Sequence, residues 1–134
     1  MQTLIENVNI INPFEEIKSN HNVLIEDNKI SEISSSKISV KDSANVIDGE
    51  DKFLLSAFID CHTHIFAKGF HKEENMANPL GLHFYNAVPH SAQTVNAGVT
   101  TIRDCGSADL SFKMAQQRKL FTAPKIHLSI TPIS

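Results

Sequence analysis

The hydrophobic and polar positions follow one grammar up to about residue 53 and another after it. In residues 3–11, Leu4, Ile5, Val8, Ile10 and Ile11 are mixed with polar positions, and Asn12-Pro13 then breaks the run. A strand closed by a turn is expected there. Val23-Leu24-Ile25 and Ile30-Ser31-Glu32-Ile33 flank Asp27-Asn28, two residue types that tolerate positive φ, so residues 22–33 predict a tight hairpin. Ser34-Ser35-Ser36 and Lys41-Asp42-Ser43 are polar connectors, and Val46-Ile47 leads into a turn at Asp48-Gly49. A β-meander is the natural reading of this half.

From Phe53 onward, short apolar runs alternate with helix-like stretches. Residues 53–64 read as one strand. Residues 82–96 can be helical, with Pro89 marking a late start or a kink, and Gly98 supplies a stop. Val99-Thr100-Thr101-Ile102-Arg103 is short and β-branched, as a buried strand is. Ser107 or Asp109 can cap a helix through Phe112, Met114, Ala115 and Leu120 that ends before Pro124, and residues 125–130 read as a third strand. The order strand, helix, strand, helix, strand predicts an α/β fold whose parallel sheet has right-handed crossovers. Two domains are expected, residues 1–52 and residues 53–134.

Composition adds exclusions. The 134 residues are 41% hydrophobic and 20% charged, within the range of globular chains, with a formal net charge of -3. No basic block marks a nucleic-acid or anionic-lipid partner. The start, Met1-Gln2-Thr3-Leu4-Ile5-Glu6, lacks the pattern of a secretory signal, so a cytoplasmic location without membrane attachment is expected. Cys61 and Cys105 have no CxxC spacing and read as reduced thiols near buried strand ends.

The chemistry lies in Phe58-Ile59-Asp60-Cys61-His62-Thr63-His64. The period of two in a strand puts His62 and His64 on one face, where two imidazoles can converge on a metal. Imidazole suits zinc, iron, nickel or copper better than magnesium or calcium. An HxH triplet alone is weak, because two histidines also share a strand face for packing or hydrogen bonding. Its place at the carboxyl end of an apolar strand that opens an α/β series favours the metal, since functional groups gather at that end. Asp60 shares the parity of His62 and could orient a ligand without touching the metal, or accept backbone hydrogen bonds. Arg103 and Asp104 could face a substrate or pair as ions bracing the strand ends. His71, His83, His90 and His127 have no paired spacing and read as exposed or locally hydrogen-bonded. Residues 66–79 read as a surface loop that could shape a pocket.

These residues resemble a family. The run from Leu54 to His64 is similar to the segment that opens the barrel in the amidohydrolase superfamily, where Pro-Gly usually stands in place of Ser56-Ala57. Ala97-Gly98-Val99-Thr100-Thr101-Ile102-Arg103-Asp104-Cys105-Gly106 is similar to the entry to the second barrel strand in the imidazolonepropionase and prolidase-like branch. The hairpin and Val46-Ile47-Asp48-Gly49 resemble the small β-sandwich that precedes that barrel.

The resemblance implies the N-terminal part of a small β-sandwich followed by the first three strands of a metal-dependent (β/α)8 barrel, incomplete in this chain. It implies His62 and His64 as ligands of one or two divalent metals, with zinc the first expectation. It also implies hydrolysis of a C-N bond in an amide, cyclic amide, amidine or dipeptide through a metal-activated water. The family's other ligands and its general base come from later strands, so no catalytic residue is assigned here. About eighty residues follow Phe53 where a barrel takes roughly 250, so an N-terminal portion inactive alone is expected. The alternative is a non-catalytic remnant or interaction partner of a related enzyme. The expected partner is a small-molecule substrate, and a homo-oligomer is one way to cover the open edge of three strands.

Overall fold

The computed structural model describes residues 1–67 and 77–129. They belong to two compact units, Met1–Ser56 and Ala57–Ser134, which together give a mixed α/β chain.

In the first unit, β1 (Gln2–Ile11) lies inside a five-stranded sheet. On one side it pairs antiparallel with β2 (Lys18–Glu26), which pairs antiparallel with β3 (Lys29–Ser34). Asp27 and Asn28 join them at φ of 47° and 66°, the left-handed pair that suits a two-residue hairpin turn and that the sequence pointed to. On its other side β1 pairs in parallel with β4 (Asn45–Asp48) and then with β5 (Phe53–Leu55). The meander expectation is therefore corrected. After β3 the chain returns to the far edge of β1, where two short strands satisfy backbone groups that would otherwise stay unpaired.

Two local devices hold this sheet. Asn7, at φ 56°, sits in a register shift of β1 and donates its N–H to Asn22 Oδ1 at 3.2 Å, while Asn22 Nδ2 donates to the Ser36 carbonyl at 2.9 Å. Gly49 donates its N–H to the Glu6 carbonyl at 2.7 Å, which turns the chain from β4 towards β5. Leu4, Leu24 and Ile38 form the buried core, with Val40 against them.

In the second unit, β6 (Phe58–Thr63), β7 (Val99–Asp104) and β8 (Lys125–Leu128) form a parallel sheet in that order. Between them come α1 (Leu80–Asn96), packed on β7, and α2 (Leu110–Gln117), packed on β8. The alternation read from the sequence is thus observed. Its first strand is not: residues 53–64 divide into β5 and β6, which pair in different sheets. Alternating polarity marks both halves as extended but carries no information about which neighbour each half pairs with.

The helices differ from expectation in detail. α1 starts two residues earlier than expected and carries Pro89 in its interior, where proline denies the Tyr85 carbonyl its i+4 donor. Just beyond the Ala97 cap stands Gly98, φ 86°, whose carbonyl accepts from Phe58 N–H at 2.9 Å and so ties the entry of β7 to β6. Asp109, not Ser107, caps α2, which stops before Leu120. Residue 130, expected in the third strand, lies outside the described residues. The core joins Ile65, Phe66, Ala87, Ile102, Ala108, Phe112 and Ile126. Phe66 meets Phe84 edge-on at 4.7 Å and Phe112 at 5.0 Å, and Phe121 lies 4.9 Å from Phe112. This cluster fixes the chain immediately after His64. Among the described residues no helix is long and apolar enough to cross a membrane.

Candidate metal centre

The site grows out of the carboxyl end of β6. Pairing with β7 runs Asp60 to Ile102 and Thr63 to Asp104, so β6 carries one residue more than β7 over this stretch. The extra residue makes a bulge at Cys61-His62, a device that re-aims a side chain at a strand end. Two side chains support it. Arg103 Nε donates to the Cys61 carbonyl at 2.8 Å, and Asp60 Oδ1 accepts from the His62 backbone N–H at 2.9 Å.

The strand and its bulge bring His62 and His64 together, with ring centroids 5.3 Å apart and planes inclined by 73°. Both side chains are exposed. His64 Nδ1 lies 2.8 Å from the Gly106 carbonyl, in the loop after β7. A carbonyl can only accept, so Nδ1 carries the hydrogen and Nε2 keeps its lone pair. That is the form in which a histidine binds a metal while its other nitrogen is held by the protein. The pair therefore fits a transition metal as two imidazole donors. Among the described residues no group of three or more His, Cys, Asp or Glu side chains is placed to hold a metal.

Other sequence candidates are placed differently. Asp60 acts on the His62 backbone, and no bond from its carboxylate to either ring occurs among the described residues. Arg103 braces β6 through a backbone carbonyl and makes no ion pair with Asp104. Cys61 is exposed and Cys105 half-buried, and both are free thiols. His127 is exposed, and His90 is half-buried with its carbonyl accepting from Thr94 Oγ1 at 2.8 Å. His83 lines a cavity of about 260 Å³ with Phe66, Ala67, Leu80 and Ser107. His71 and most of the loop over residues 66–79 lie outside the described residues.

One residue gains a place the sequence did not suggest. The Asp104 side chain is fully buried and accepts four hydrogen bonds. Its bond from Gly106 N–H, two residues on, is an Asx-type turn, and an aspartate with a glycine two residues later at a strand end is the signal that could have revealed it.

No protein-family model matches the chain. The dihydroorotase of Fusobacterium nucleatum is 32% identical over 93 residues, which cover 60% of this chain and 21% of that protein. A prolidase solved with N-methylphosphonate-L-proline is 27% identical, with a TM-score of 0.84 over 96% of this chain and 32% of its own. An amidohydrolase structure is 31% identical, with a TM-score of 0.84 over 96% of this chain and 31% of its own. The chain thus spans about a third of the solved chains and about a fifth of the dihydroorotase.

Proposed function

The chain is related to the N-terminal portion of prolidase- and amidohydrolase-family proteins, and from that premise we propose that it supplies the first two metal ligands of a metal-dependent hydrolase. In this reading the five-stranded sheet is part of a small β-sandwich, and β6, β7 and β8 open a (β/α)8 barrel. His62 and His64 hold a divalent metal, zinc first. The observation that carries the reading is the His64 Nδ1–H bond to Gly106, which leaves Nε2 available beside the ring of His62.

When bound, such a metal supplies a Lewis acid that polarises a carbonyl and brings the pKa of water towards neutrality. The chain's own part is to present two neutral imidazoles from a braced strand end. A small-molecule C-N substrate follows, drawn from amides, cyclic amides, amidines and dipeptides. The prolidase solved with a proline phosphonate makes imino-dipeptides the first class to assay.

A second reading is a non-catalytic remnant or interaction partner of a related enzyme. The test is hydrolysis of a panel of such substrates by a polypeptide that carries this chain together with further barrel strands. Activity lost on chelation, and lowered at least about 10³-fold by His62→Ala or His64→Ala, is expected of the first reading. A rate indifferent to both substitutions contradicts it.

A further inference from the structure

The strand β7 ends on Asp104, whose side chain has 0% exposure. Its Oδ2 accepts from Ile65 N–H at 2.8 Å and from the Ser107 hydroxyl at 3.0 Å. Its Oδ1 accepts from Gly106 N–H at 3.0 Å and from Ala108 N–H at 3.1 Å. The Asp104 backbone carbonyl also accepts from Ser129 N–H at 3.0 Å, just past β8. One residue therefore joins the chain after β6, the loop after β7 and the chain after β8.

Two of these bonds bear on His64. Ile65 follows His64 directly, so the carboxylate holds the backbone from which the imidazole projects. Gly106 supplies the acceptor for His64 Nδ1, and its φ of 111° lets it give its N–H to Asp104 while its own carbonyl meets the ring. The ring and the carbonyl that orients it are both referred to one buried carboxylate. We propose that Asp104, which touches neither imidazole, is the positioning residue that sets the tautomer and aim of His64. The inference rests on reading His64 as a metal ligand.

The carboxylate cannot be replaced by its amide. Three backbone N–H groups converge on Asp104, one at Oδ2 and two at Oδ1, and none of them can accept. Asparagine in either orientation sets an NH2 against at least one of those N–H groups, leaving buried donors unpaired. The loop must then move, and the Gly106 carbonyl with it. Ser107→Ala is milder, removing one of the four bonds and leaving the three backbone N–H groups on Asp104 satisfied, while Phe66 N–H loses the Ser107 hydroxyl it meets at 3.4 Å.

The test is imidazole nitrogen NMR on the full chain at about pH 8, above the ordinary histidine range. In the unaltered chain His64 is expected as a single Nδ1–H tautomer, and added Zn²⁺ shifts its Nε2 resonance. In Asp104→Asn the tautomers at His64 mix and zinc affinity falls about 10- to 100-fold, while the His83 and His127 signals and the circular dichroism stay in place. Ser107→Ala moves both readouts the same way by less, and decides the matter if Asp104→Asn does not fold. A pure Nδ1–H tautomer and undiminished zinc affinity in the folded variants overturn the proposal. If zinc leaves His64 Nε2 unmoved in the unaltered chain, the ligand assignment falls, while the tautomer comparison still decides the role of Asp104.

Discussion

His64 donates its Nδ1 hydrogen to the carbonyl of Gly106 at 2.8 Å across 42 positions of sequence, joining the end of the first parallel strand to the loop after the second. A histidine on an exposed strand end has two tautomers and several rotamers, and this bond selects among them. The geometry of the candidate metal centre thus depends on β6 and β7 being paired, and the bulge at Cys61-His62 depends on the same pairing. Fold and site are coupled at this point, which makes the stability of the second unit a functional matter.

The cap of α2 contributes to that stability. Asp109 accepts from the Ser111 hydroxyl at 2.6 Å and from Phe112 N–H at 3.0 Å. The Ser111 hydroxyl first holds its carboxyl below the usual aspartate range, against an opposing effect of burial, and the backbone N–H groups of Phe112 and Ser111 add to the lowering. A folded-state value below the unfolded one gives stability that is present above about pH 4 and is lost as pH falls through the folded value. Asp109→Ala should therefore cost about 1 kcal/mol at neutral pH, with the difference shrinking below about pH 4. Urea titrations at the two pH values check this, and an equal difference at both would speak against the cap.

The first unit depends on Gly49. A Cβ there would lie 2.8 Å from the Glu6 carbonyl oxygen and 2.8 Å from Val8 Cβ, closer than any side chain tolerates. Gly49→Ala should cost about 1 to 3 kcal/mol, the range of an overpacked site. Amide hydrogen exchange along β1 and β4 would show it as faster opening, with β6 and β7 amides as the internal control.

Phe112 is the centre of the aromatic cluster, 2% exposed and within 5.0 Å of both Phe66 and Phe121 by ring centroid. Phe112→Ala should remove about 3 to 5 kcal/mol. Since Phe66 anchors the residues after His64, the His64 imidazole signals should lose their dispersion together with the aromatic ones. Retention of a single sharp His64 environment in that variant would separate the site from the core.

Much of this was legible in the sequence, for local reasons. Asp27-Asn28, Gly98, Asp109 and the β-branched run at residues 99–103 each speak for their own backbone, and each is observed in the expected role. The HxH spacing placed two imidazoles side by side for the same reason. What stayed hidden depends on partners far along the chain. The parallel pairing of β4 and β5 with β1, the break of residues 53–64 into strands of two sheets, and the convergence of Ile65 N–H on Asp104 are set by tertiary neighbours that no local pattern encodes. The bulge at Cys61-His62 belongs with these, because it exists only against β7.

On the proposed function, His62 and His64 bind one metal ion through their imidazoles. X-ray absorption at the zinc edge of the zinc-loaded chain tests it most directly. Two imidazole nitrogens at about 2.0–2.1 Å are expected, falling to one in either His62→Ala or His64→Ala. A spectrum without imidazole, or one that neither substitution alters, would contradict it.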